Sequence, residues 1–83
     1  MKITFKLFAN LQDYLPAGTV RNQVDIEVPP GTTPADLIQQ YALPEKLTHL
    51  VLVNGAYIAP ERRGEHTLQE GDALAIWPPI AGG

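Results

Sequence analysis

Val24-Asp25-Ile26-Glu27-Val28-Pro29-Pro30-Gly31-Thr32-Thr33-Pro34-Ala35-Asp36-Leu37-Ile38 changes its periodicity partway through, and that change decides the fold. From Val24 to Val28, aliphatic and acidic residues alternate, the period-2 signature of a half-buried strand. Pro29-Pro30-Gly31 ends it. Thr33 then stands as a helix N-cap, with Pro34 at the first helical position and Asp36 in the first turn, where a carboxylate meets the positive end of the helix. Leu37, Ile38 and Tyr41 fall on one helical face, and the helix ends before Pro44.

Working outward, the N-terminal flank holds another strand. Ile3, Phe5 and Leu7 alternate with Lys2, Thr4 and Lys6. Its outward residues are basic where those of the Val24 strand are acidic. Antiparallel pairing is expected to bring Lys2 and Lys6 near Asp25 and Glu27, worth on the order of a few tenths of a kcal/mol per pair. The connection over residues 9–22 is too long for a tight turn; Asn10 to Leu15 is expected to form a helical turn stopped by Pro16 and Gly18. On the C-terminal flank, Leu50-Val51-Leu52-Val53 is apolar on both faces, as an interior strand would be. Asn54-Gly55 predicts a hairpin into Ala56-Tyr57-Ile58. Glu70-Gly71-Asp72 predicts a tight turn into a last strand, Ala73 to Trp77, stopped by Pro78. Strand, strand, helix, strand, short strand, strand is the order of an α+β, β-grasp (ubiquitin-like) fold: a mixed sheet with one main helix packed across one face. Residues 1–80 are read as the β-grasp domain and residues 81–83 as a flexible Ala-Gly-Gly tail.

Composition narrows the function. The 83 residues are 45% hydrophobic and 18% charged, enough for one modest core. The absence of cysteine excludes a disulfide framework, a thiolate metal site and a cysteine nucleophile, so the chain cannot carry sulfur as its own persulfide. A net charge of −3 argues against non-specific nucleic-acid binding, and the only adjacent basic pair, Arg62-Arg63, is flanked by Glu61 and Glu65 and reads as a solvated loop. No apolar run approaches the ~20 residues of a membrane span, and the N-terminus lacks the long apolar stretch of a signal peptide, so a cytoplasmic protein is expected. His49 and His66 have no ligand spacing and read as loop residues, so no metal site is expected. Asp13, Asp25, Asp36 and Asp72 read as turn, strand-face, helix-start and turn residues. Gly71-Asp72 lacks the further glycines and Lys-Ser/Thr of a phosphate loop.

The C-terminus carries the chemistry. Beyond Trp77 come Pro78-Pro79, which favour an extended backbone, then Ile80 and the thin Ala81-Gly82-Gly83 tip. The only reactive group of this tip is the α-carboxylate of Gly83, a poor acyl donor until activated. Adenylation by a partner using ATP makes it a mixed anhydride, and a sulfur nucleophile then leaves a terminal thiocarboxylate. Taken alone, Gly82-Gly83 is also what a frayed chain end looks like. Trp77 reads equally as a core residue or an exposed anchor.

Residues 68–83, Leu68-Gln69-Glu70-Gly71-Asp72-Ala73-Leu74-Ala75-Ile76-Trp77-Pro78-Pro79-Ile80-Ala81-Gly82-Gly83, resemble the ending of the ubiquitin-like sulfur carriers, and among them the small subunit of molybdopterin synthase. Leu52-Val53-Asn54-Gly55 and the opening strand through Phe8 extend the likeness weakly. The resemblance implies that Gly83 is adenylated and bears the sulfur, with Gly82 its slender neighbour. Trp77, Pro78, Pro79, Ile80 and Ala81 would meet the partner. The implied partners are an adenylating, ubiquitin-activating-like enzyme, which uses the ATP, and the large synthase subunit; no cofactor is bound by the chain itself, which would be non-catalytic alone. A thiamine-pathway sulfur carrier is the nearest alternative, since Pro60-Glu61-Arg62-Arg63 is similar to those chains. The long 9–22 segment and Pro78-Pro79 favour the molybdopterin type. From other classes stand a ubiquitin-like modifier joined to lysines, and an interaction module with an inert tail.

Overall fold

A computed structural model of the chain describes residues 1–79. Its single sheet has the order β2-β1-β5-β3-β4, where β1 is Lys2–Leu7, β2 Gln23–Glu27, β3 Leu50–Val53, β4 Ala56–Tyr57 and β5 Ala73–Trp77. β1 and β5 run parallel at its centre; the remaining pairs are antiparallel, so the sheet is mixed as expected. The helix α1, Pro34–Gln40, lies across one face. Ile3, Phe5, Leu7, Val51, Leu74 and Ile76 point toward it and are almost wholly buried, with Leu37 of α1 and Leu11 and Leu68 of the connections closing the core. Tyr41, at the end of α1, tilts against Phe5 with ring centroids 5.0 Å apart.

Local chemistry fixes these elements where the sequence placed them. The Thr33 hydroxyl accepts from the Asp36 N–H at 3.2 Å, and the Asp36 carboxylate accepts from the Thr33 N–H at 3.0 Å, a reciprocal capping box. Asn54 and Gly55 take φ of +51° and +85°, the left-handed pair that a two-residue hairpin turn requires. The Asn54 amide also pins that turn to the start of β5: its Oδ1 accepts from Ala73 N–H and its Nδ2 donates to Asp72 Oδ1, both at 2.8 Å. Asp72 Oδ2 accepts from Gln69 N–H at 2.8 Å, which holds the turn through Gly71. The expected helical turn between the first two strands is a 3-10 segment, Ala9–Tyr14, and β2 begins one residue earlier than its alternation suggested.

Two findings depart from the sequence reading. The β1–β2 register sets Lys2 opposite Glu27, as expected, but places Thr4 opposite Asp25 and Lys6 opposite Gln23. Thr4 donates its hydroxyl to Asp25 at 2.9 Å, so the carboxylate expected near Lys6 is bound elsewhere. The second concerns Arg62-Arg63, read together as a solvated loop. Arg62 is solvent-exposed beside Glu65, whereas Arg63 is buried to 8% exposure. Its guanidinium donates to the carbonyls of Ile58, Thr48 and His49 at 3.0–3.2 Å, and its own carbonyl accepts from Ala35 N–H at 2.9 Å. One cation thereby ties the segment after β4, the approach to β3 and the first turn of α1 together.

That contrast is testable. Arg63→Met leaves three carbonyls without their donor and is expected to cost on the order of 3 kcal/mol. At the usual ~4–8 °C per kcal/mol for a domain of this size, Tm falls by more than about 10 °C. Arg62→Met, at an exposed ion pair, is expected to stay within about 0.5 kcal/mol. Equal losses in urea unfolding would show that the buried clamp does not form.

Candidate functional site

The tail leaves from the middle of the sheet. β5 is flanked by β1 and β3, and its alternation of Leu74 and Ile76 inward leaves Ala73, Ala75 and Trp77 on the face away from α1. The last carbonyl of the strand, that of Trp77, accepts from His49 N–H at 3.1 Å, and the Phe8 N–H donates to Ile76 O at 3.2 Å. Pro78 is buried and Pro79 exposed. The strand is thus bonded on both sides up to the point where proline, lacking an N–H, ends the ladder. Ile80, Ala81, Gly82 and Gly83, the tip expected to carry the chemistry, lie outside the described residues.

Trp77 does not belong to the buried core. It is half-buried on the open face and stacks on Phe8, with ring centroids 3.9 Å apart and planes within 8°. Such a stack is worth about 0.5–1.5 kcal/mol beyond the area it covers. Phe8 was not legible as a site residue: it follows β1, and only its place in the Lys6, Phe8 alternation hints that it shares a face with Trp77. Register brings further apolar side chains beside them. Leu50 stands opposite Trp77, and Leu52 lies between Ala75 and Tyr57. Tyr57 is 55% exposed, and the rest are partly open to solvent. The result is an apolar patch at the end of the sheet from which the tail departs, over strands β1, β5, β3 and β4.

Chemistry of other kinds is not assembled here. Among the described residues no three His, Cys, Asp or Glu side chains come together to hold a metal ion. His49 is exposed before β3 and His66 half-buried in the loop after Arg63. Two open clefts, of about 680 and 530 Å³, lie along the edge of β2 and between α1 and Pro60–Arg63; neither is lined by Trp77 or Pro78. No helix among the described residues is long and apolar enough to cross a membrane.

Comparison with known proteins agrees with this architecture. SAMP1 from Haloferax volcanii is 30% identical over the whole of both chains, with a TM-score of 0.68. A candidate molybdopterin converting factor, subunit 1, from Pyrococcus furiosus is 26% identical over 95% of this chain and 98% of its own, also with a TM-score of 0.68. The complex of subunits 1 and 2 of molybdopterin-converting factor from Helicobacter pylori contains a chain that matches over its full length at 17% identity and a TM-score of 0.62, a likeness of fold alone. Among curated proteins no sequence matches significantly. The model of the ThiS family matches residues 5–83, which takes in the helix, all but the first three residues of β1, and the terminal glycines. The fold is ubiquitin-like, and the chain belongs to the ThiS family.

Proposed function

We propose that this protein is a sulfur carrier whose Gly83 carboxylate is adenylated and then converted to a thiocarboxylate, and that it delivers the sulfur to molybdopterin synthesis. The observation that carries the reading is the family match running through to Gly83, over a tail that offers no reactive group but its carboxylate. In the first step a carboxylate oxygen attacks the α-phosphorus of ATP on an activating enzyme, forming the acyl adenylate and releasing pyrophosphate. A hydrosulfide-equivalent donor then attacks the carbonyl carbon; the C–S bond forms, the bond to AMP breaks, and a thiocarboxylate remains. The carrier contributes no catalytic side chain. It contributes a narrow tip, since Gly82 and Gly83 add almost no bulk to the backbone, and a surface by which partners recognise it. The apolar patch around Trp77 and Phe8 serves as that surface, seated on the adenylating enzyme first and on the large subunit of the synthase later. The likeness to a candidate converting-factor subunit at 26% identity supports this destination.

A second reading has its own support. At 30% identity, the likeness to SAMP1, which is the small archaeal modifier protein 1 of the same organism, favours a ubiquitin-like modifier whose Gly83 is joined to lysine amines. Both fates share the adenylated intermediate and differ in the nucleophile that displaces AMP. Delivery to a thiamine-type pathway, which the family's name also fits, differs only in the acceptor.

Because the chain has no cysteine, a thiol-alkylating reagent is selective for the thiocarboxylate. Co-expression with an adenylating enzyme followed by alkylation is expected to add one label at Gly83, located by mass spectrometry. An adenylated but unlabelled tail, with higher-mass conjugates in cell extract, would transfer the assignment to a modifier. Deletion of Gly83 is expected to abolish labelling with thermal unfolding unchanged. Gly82→Val is expected to block loading by bulk alone; normal adenylation of that variant would refute the narrow-channel argument. Trp77→Ala is expected to weaken the partner complex by about a hundredfold or more, roughly 3 kcal/mol, while costing the fold about 1–2 kcal/mol. The opposite ranking would make Trp77 a residue of the fold and not of the interface.

A further inference from the structure

The open face of the sheet has two unlike halves. On the β1–β2 side the two carboxylates already have partners: Asp25 accepts from the Thr4 hydroxyl, and Glu27 stands opposite Lys2 and lies 3.8 Å from the N-terminal ammonium. On the β5–β3–β4 side stand Phe8, Trp77, Leu50, Leu52, Ala75 and Tyr57. Lys6 sits on the border. Across the sheet it faces Gln23 on one side and Ala75 on the other, and along β1 its next neighbour on the same face is Phe8. It is half-buried before any partner arrives. Among the described residues its ammonium has no carboxylate within 4.0 Å and no hydrogen-bond acceptor, in contrast to the carboxylates of Asp25 and Glu27, and unlike Lys2 it is not exposed.

An ammonium beside an apolar patch is inexpensive while water reaches it. Seating an apolar partner on the patch removes that water, and an unpaired charge then costs several kcal/mol unless it is matched across the interface. We propose that Lys6 is a specificity residue of this docking face, and that the partner protein seated there presents a carboxylate to it. This rests on the carrier reading, in which the face docks the adenylating enzyme. The carboxylate is a local feature of that partner: with a net charge of −3 the chain as a whole repels an acidic surface, so only an acid placed opposite Lys6 gains. It also gives the partner a means of rejecting other small ubiquitin-like chains with an apolar or acidic residue at this position.

The test is adenylation kinetics of the full chain, followed by pyrophosphate release, with the enzyme that loads the wild type. Lys6→Glu is expected to raise KM for the carrier roughly tenfold or more with kcat little changed, because it sets like charges face to face. Lys6→Met is expected to raise KM less and to flatten its dependence on salt. Thermal unfolding of both variants should match the wild type, and a partner Asp or Glu changed to Lys should rescue Lys6→Glu. A wild-type KM for Lys6→Glu, or tighter binding by Lys6→Met, would overturn the inference and mean that the side chain swings out to solvent on docking. If no enzyme adenylates even the wild-type chain, the carrier reading fails and takes this inference with it.

Discussion

The parallel pairing of β1 with β5 is the contact on which the rest depends. It joins the first strand of the chain to the last, with Phe5 beside Leu74 and Leu7 beside Ile76 in the buried layer. β2 attaches to the outer side of β1, and β3 with its hairpin to the outer side of β5, so neither half of the sheet meets the other except through this pair. Parallel strands require a long crossover, and here the whole intervening chain, α1 included, is that crossover. The same pairing makes β5 an interior strand. A tail that begins where an interior strand ends has a rigid root, held on one side by His49 N–H to Trp77 O and on the other by Phe8 N–H to Ile76 O. Rigidity at the root and thinness at the tip are separate requirements, and Pro78 is the point at which one gives way to the other.

Much of this was legible in the residues. Period-2 alternation located β1, β2 and β5; the Thr33-Pro34-Asp36 start and the Asn54-Gly55 turn appeared in the atoms as the chemistry of those residue types dictates. What the sequence could not carry was long-range pairing. Alternation assigns a residue to a face but does not say which residue lies opposite it, because sliding the register by two preserves every face. Lys6 therefore seemed destined for an acidic neighbour, and only the register revealed that Thr4 occupies that place. Arg63 was hidden for a related reason. Its neighbours Glu61, Arg62 and Glu65 make the segment look solvated, and burial of the one guanidinium depends on the nearby Ile58 carbonyl together with those of Thr48 and His49, brought from before β3. The tip of the candidate site is read from glycine and proline alone and lies outside the described residues; at its base Trp77 could be named from the sequence and its stacking partner Phe8 could not. Phe8 and Trp77 are far apart in sequence and meet only because β1 and β5 are adjacent.

The two faces of the sheet divide the work. The face under α1 holds nearly all of the buried aliphatic side chains and carries the stability of a small domain with little core to spare. The opposite face keeps Trp77, Phe8 and Tyr57 partly in water, which a protein of this size would not do to stabilise itself. On the carrier reading, this apolar area beside the terminus is the surface for association. The Phe8–Trp77 stack reduces the cost of waiting: each ring shields one face of the other, so the patch is pre-ordered and little side-chain freedom is lost when a partner covers it.

On the proposed function, reactivity and recognition lie in different places. A C-terminal carboxylate is chemically the same in every protein, and Gly82-Gly83 presents no side chain by which an enzyme might tell one tail from another. On that reading, any selection among chains with this ending is made on the folded surface. The patch lies at the end of β5, the strand that leads toward the tail. Hydrophobic contact alone discriminates poorly, since apolar surfaces of similar shape are nearly interchangeable. Discrimination needs a group that is costly to cover wrongly, and on the border of this patch the half-buried ammonium of Lys6 is such a group.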